Sequence, residues 1–189
     1  MDMVALTVTI IDMLYLQVWK HQLQVQAGAA LLVASKSCAR SLTMNRILFY
    51  LDTAGTRDTL LAWEKLILLN TKFNMSLVVA HDFLPHLISL YSNLLHPPLL
   101  YVASCCSQLL SLSCMDQALS PYLPSLQATS AIFLTLETEK SQITFLSEAK
   151  RILGLEKDEI ISCARLLENV LIQTMPEDPI SSRRKTGKI

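Results

Sequence analysis

A chain of 189 residues with 51% hydrophobic and 17% charged residues can bury a sizeable core and is too apolar to stay disordered. Sixteen Lys and Arg balance sixteen Asp and Glu, so no bulk charge draws it toward nucleic acid or an anionic membrane. Only 4 glycines are present, against a usual share of about 7%, and neither GxGxxG nor GxxxxGK occurs. The class this leaves is all-α.

Apolar periodicity and breakers predict helices over 3–17, 22–38, 43–51, 57–72, 79–94, 98–114, 122–137, 141–153 and 157–173. The first is apolar, but Asp2 precedes it without a basic leader and Asp12 lies inside it. A membrane span needs about 20 residues with few charges, so this segment reads as a buried helix. Pro97-Pro98 separates two helices, Pro121 and Pro124 open another, and Gly154 closes one. Asp58 and Asp158 fall near helix starts, where a carboxylate meets unsatisfied N–H groups. Residues 176–189 (PEDPISSRRKTGKI) lack apolar periodicity and read as a polar, flexible tail. Its SSRRKTGK stretch is a solvated basic end or a nuclear signal.

The side chains offer no catalytic set. Five cysteines (38, 105, 106, 114, 163) form no CxxC, and the four histidines complete no zinc set with them. They are expected to be buried thiols without a disulfide. No GxSxG marks a nucleophile. The chain is not expected to be an enzyme, to hold a cofactor or metal, or to bind a small-molecule substrate.

An internal repeat organises the rest. QAGAALLV from Gln26 lines up with QATSAIFL from Gln127, and RDTLLAWEKLI from Arg57 with KDEIISCARLL from Lys157. Val4-Ala5 lines up with Val102-Ala103. Two helical units of about 100 residues are expected, each around a central helix of small residues that lets neighbours approach closely. Within this scheme Lys36 ends the apolar stretch AALLVASK, and its counterpart is Glu137. Glu64 corresponds to Ala164. Neither charge is therefore required by the fold. Taken alone, Lys36 answers the helix dipole and Glu64 is an exposed position on an amphipathic helix.

The order of these features resembles the cyclin family. The residues that carry it are LQVQAGAALLVASK (23–36), the run from Asp52 through TRDTLLAWEKLILLNTKFNMSLVVAHDF to Phe83, and YLPSLQATSA (122–131). The resemblance as a whole covers roughly residues 3 to 174, and His81-Asp82-Phe83 has the D-type flavour. The resemblance implies tandem five-helix cyclin boxes over 1–76 and 77–175. It also implies a partner, the small lobe and C-helix of a cyclin-dependent kinase, contacted by Lys36 and Glu64 with Val33, Leu68, Phe73 and Met75 around them. The implied mechanism is allosteric: the kinase's C-helix is held inward and its own catalytic groups reach active geometry. Nucleus or cytoplasm is the compartment this implies.

Some positions depart from the family pattern. Asp12-Met13 replaces the usual Asp-Arg, and SCARSLT after Lys36 is basic where cellular relatives tend to be acidic. The LxCxE motif and acidic tail of cellular D cyclins are absent. These departures bring the chain nearer to gammaherpesvirus cyclins than to a cellular fragment. A cyclin-fold transcription or scaffolding adaptor, binding protein or DNA without activating a kinase, is the alternative. The repeat also places the counterpart of helix 79–94 ahead of Met1. The first box is therefore expected to lack its opening helix, with apolar faces uncovered, loose packing and no substrate docking.

Overall fold

A computed structural model describes residues 2–14, 20–38, 42–95, 98–136 and 139–174. Nine α-helices run through them: α1 (Met3–Met13), α2 (Lys20–Ser37), α3 (Met44–Leu51), α4 (Arg57–Asn70), α5 (Ala80–Leu90), α6 (Leu99–Ser113), α7 (Pro124–Phe133), α8 (Glu139–Leu153) and α9 (Lys157–Thr174). No strand occurs among the described residues. The tail and Glu137 lie outside them.

Local chemistry sets the ends. The Asp2 carboxylate accepts the Ala5 N–H at 2.9 Å and starts α1. Thr56 and Thr59 satisfy each other's backbone N–H at the start of α4. Pro124 is the first residue of α7, where a missing N–H costs nothing. Gly154 adopts φ 68° after α8, the left-handed stop that glycine enters without a Cβ penalty. Pro85 sits within α5 on an exposed position, and the helix continues past it without the hydrogen bond that a proline N–H cannot donate. Helix 122–137 is shorter than expected, because Leu119–Tyr122 forms turns and only Pro124 onward is helical. Single 3-10 turns at Asp52–Ala54, Ser92–Leu94 and Gln117–Leu119 have no sequence periodicity to announce them.

The helices enclose two cores. In the first, α2 is central and packs on α1, α3 and α4; Leu6, Ile10, Leu32, Leu60 and Ile67 are fully buried. In the second, α7 is central and packs on α5, α6, α8 and α9, around Leu110, Ile132, Phe145, Ile160 and Leu167. Of the small residues foreseen for both central helices, Gly28, Ala29 and Ala30 in α2 and Ala128 to Ala131 in α7 are buried, while Ala27 is partly exposed. The Ser130 hydroxyl donates to the Ile160 carbonyl at 3.2 Å, a contact that only a small side chain allows between α7 and α9.

Burial corrects one part of the repeat alignment. Val4 is 53% exposed whereas Val102 is 1% exposed, so these two are not equivalent. Pairing α1 with α6 at 100 residues instead of 98 matches fully buried Leu6 with Cys106 and Ile10 with Leu110. Apolar composition alone could not choose between registers two residues apart. Packing does.

The first repeat has no counterpart of α5 among the described residues. In the second repeat α5 lies on α6 and α7, and Tyr91 after its end stacks on Phe145 of α8 at 4.5 Å between ring centroids. The matching place on α1, α2 and α3 is an open apolar groove of about 310 Å³, lined by Val4, Ala27, Gly28, Leu31 and Tyr50 among others.

Candidate partner-binding site

Lys36 lies on the last turn of α2, where its charge opposes the partial negative charge of the helix end. Ala30 and Ala34 are fully buried, and α2 and α4 pack side by side. That proximity brings the Lys36 ammonium to the Glu64 carboxylate, and the two form a hydrogen-bonded ion pair. The lysine side chain is 56% exposed and the glutamate 12%. Such a pair is worth about 0–1 kcal/mol at a surface. It does not hold the repeat together, and the buried Ala164 stands at the equivalent place of Glu64 in the second repeat. An ammonium has three donors and carboxylate oxygens have several lone pairs, so the pair keeps hydrogen-bonding capacity for another molecule.

Along its length α4 turns Leu60 and Ile67 inward and leaves Leu61, Leu66 and Leu69 exposed, of which Leu61 shares the face of Glu64. The helix is apolar on more sides than its own core can cover. The helix then closes in a Schellman arrangement: the Phe73 N–H donates to the Leu68 carbonyl at 2.8 Å and the Lys72 N–H to Leu69 at 3.0 Å. Lys72 has φ 52° and Phe73 φ 58°, left-handed conformations that side chains with a Cβ enter at a cost. The turn lifts Phe73 into solvent, where it is 66% exposed. Leu68 and Met75 are half-buried against the first core, and the Thr71 hydroxyl lies 3.8 Å from the Met75 sulfur.

The structure thus gathers Lys36 with Glu64 and places Leu68, Phe73 and Met75 at the following turn. Val33 differs. At 3% exposure it is a core residue one turn before Lys36, and it has no free surface to offer a partner. The exposed side chains Leu61, Leu66 and Leu69 were not singled out from sequence, although LLAWEKLILL carries their signal. Phe49 and Tyr50 on α3 are exposed too, with their rings edge-on at 5.8 Å.

A left-handed Lys72 makes a prediction. Lys72→Gly is expected to raise stability by up to about 1 kcal/mol, because glycine enters this region without the Cβ clash. Denaturant titration measures it, and a net loss would contradict the strained turn.

The thiols give a second. Burial and the neighbouring Cys105 push the Cys106 thiol up to about 12. Burial also raises Cys163, and burial with the charges of Asp2 and Asp12 raises Cys114. These groups stay neutral at physiological pH, so Cys106 should resist iodoacetamide at pH 8 until the chain is unfolded. The fold favours the protonated form, and unfolding lets it ionise from about pH 9. Stability is then fully present below pH 9 and declines as pH rises toward 12. Rapid labelling of the native protein, or stability flat to pH 11, would refute this.

Among the described residues no group of three His, Cys, Asp or Glu could hold a metal ion. No described helix is long and apolar enough to cross a membrane.

Two family descriptions match the chain: cyclin, N-terminal domain, over residues 1–76, and cyclin, C-terminal domain, over residues 78–188. It is 31% identical over 166 residues to G1/S-specific cyclin-D3 of Mus musculus, covering 84% of this chain and 56% of that protein. It is 25% identical over 165 residues to G1/S-specific cyclin-D2 of Xenopus laevis, covering 82% and 56%. The chain therefore spans little more than half the length of these curated relatives. In fold it is similar to the X-ray structure of a viral cyclin from herpesvirus saimiri, with TM-score 0.71, 22% identity, and coverage of 90% of this chain and 78% of that one. Two helical repeats in tandem, each around a small-residue central helix and each matched by its own cyclin description, place this chain in the cyclin family.

Proposed function

We propose that the chain is a regulatory subunit that binds a cyclin-dependent kinase and activates it allosterically, promoting cell-cycle progression. The observation that carries the reading is the Lys36–Glu64 pair, with exposed Leu61 one turn earlier on the same face of α4 and exposed Phe73 at the turn that closes the helix. In such a contact the charged pair fixes register, while apolar side chains supply most of the binding energy. The kinase's small lobe and C-helix are the surface it would hold inward, and the chemistry stays with the kinase. The compartment that follows is nucleus or cytoplasm.

Co-purification from cell lysate with kinase identification by mass spectrometry tests it, followed by a phosphorylation assay with that kinase purified. A stoichiometric kinase whose activity rises on adding the chain supports the reading. A captured kinase whose activity does not rise, or no kinase at all, would remove it.

A further inference from the structure

Ser120 is the only serine or threonine in the chain that is followed by proline. It lies between the 3-10 turn Gln117–Leu119 and α7, and both Ser120 and Pro121 are exposed. Its hydroxyl donates to Asp12 Oδ2 of α1 at 3.0 Å, joining the second repeat to the first across 108 residues of chain. Beside this bond a cleft of about 760 Å³ opens between the repeats. Two carboxylates, Asp12 and Asp116, line it, and the described lining residues include no lysine or arginine. A hydroxyl suits that setting because it donates a proton to a carboxylate. A second anion does not.

We propose that Ser120 is a phosphorylation site for a proline-directed serine kinase, and that the phosphate opens the contact between the repeats. In the step, Ser120 Oγ attacks the γ-phosphorus of a nucleoside triphosphate. The new O–P bond forms as the bond to the leaving diphosphate breaks, and the hydroxyl proton passes to the kinase's base. Proline after the serine presents no N–H, which suits an enzyme whose site offers that position an apolar pocket and no acceptor. Buried Leu119 anchors the segment on one side, so residues 117–123 open locally to enter the enzyme. The product carries roughly −1.5 to −2 charge at neutral pH. It has lost the proton that bonded Asp12, and it meets Asp12 and Asp116 with no lysine or arginine among the described lining residues to receive it; His81, the one imidazole there, bonds through Nε2 to Ser107 and Ser111 instead. The repulsion disfavours reclosure. The proposal stands on the cleft and holds whether or not the chain activates a kinase.

The test incubates the full chain with a proline-directed kinase and magnesium–ATP, maps phosphate by tandem mass spectrometry, and compares amide hydrogen exchange before and after. The expected result is phosphate on Ser120 and exchange about tenfold faster over residues 5–13 and 117–123, given charge repulsion at short range. Ser120→Ala should take up no phosphate there. Asp12→Asn should shrink the exchange increase, because one opposing charge is gone. Phosphate found only elsewhere, or nowhere, overturns the site. Phosphorylated Ser120 with unchanged exchange in both segments overturns the switch.

Discussion

Lys36→Ala and Glu64→Ala are each expected to weaken kinase binding by about 2–5 kcal/mol while changing stability by less than about 1 kcal/mol. The asymmetry follows from where the pair sits. In the isolated chain Lys36 is well exposed, so losing the pair costs the fold little. In a complex that covers it, either single change leaves the other charge buried without its partner. Phe73→Ala should act in the same direction, since its ring is in solvent and contributes to no core. Lys65→Ala is the control: it is exposed on the same helix, and the proposed contact does not use it. Calorimetric titration against the purified kinase separates the cases. If all four variants bind alike, the partner surface lies elsewhere on the molecule.

Phe145→Ala is expected to destabilise the second repeat by about 3–5 kcal/mol. Its ring is fully buried on α8 and meets Tyr91 at 4.5 Å and Phe133 at 6.1 Å. Truncation leaves a cavity that helices from three directions cannot all close. Against a typical total of about 5–15 kcal/mol this is a severe loss. Denaturant melting monitored by circular dichroism reads it, and a change below about 1 kcal/mol would mean that the core repacks around the gap.

Much of the fold was legible because helices write themselves into a sequence twice, as period and as punctuation. Gly154, Pro124 and Asp58 fell at the ends where their chemistry placed them. The register of α1 against α6 was not legible. Both are apolar on several sides, and only the contacts that bury Leu6 and Ile10 distinguish one alignment from another. The family resemblance singled out Lys36 and Glu64 as two partner contacts, but that they bond to each other was not legible; it comes from the close approach of α2 and α4. The burial of Val33 was not legible for a related reason: identity as an apolar residue near Lys36 does not say whether its side chain points inward. Phe73 carried no pattern of its own, since its exposure comes from two consecutive left-handed residues that no periodicity announces.

The division into two cores bears on how the protein responds to load. Each repeat buries its own large side chains around its own central helix, so either can lose its packing while the other keeps it. A partner seated on α2 and α4 touches one of these units. By mass action it stabilises that unit by about 2.7 kcal/mol at a hundredfold excess over Kd, and it lends the other unit only what passes through the junction. Cys114, at the end of α6, packs against the first core, and Ser120 reaches Asp12 nearby. Pulled from its ends, such a chain yields in two separate rips, and an occupied partner surface delays only one of them.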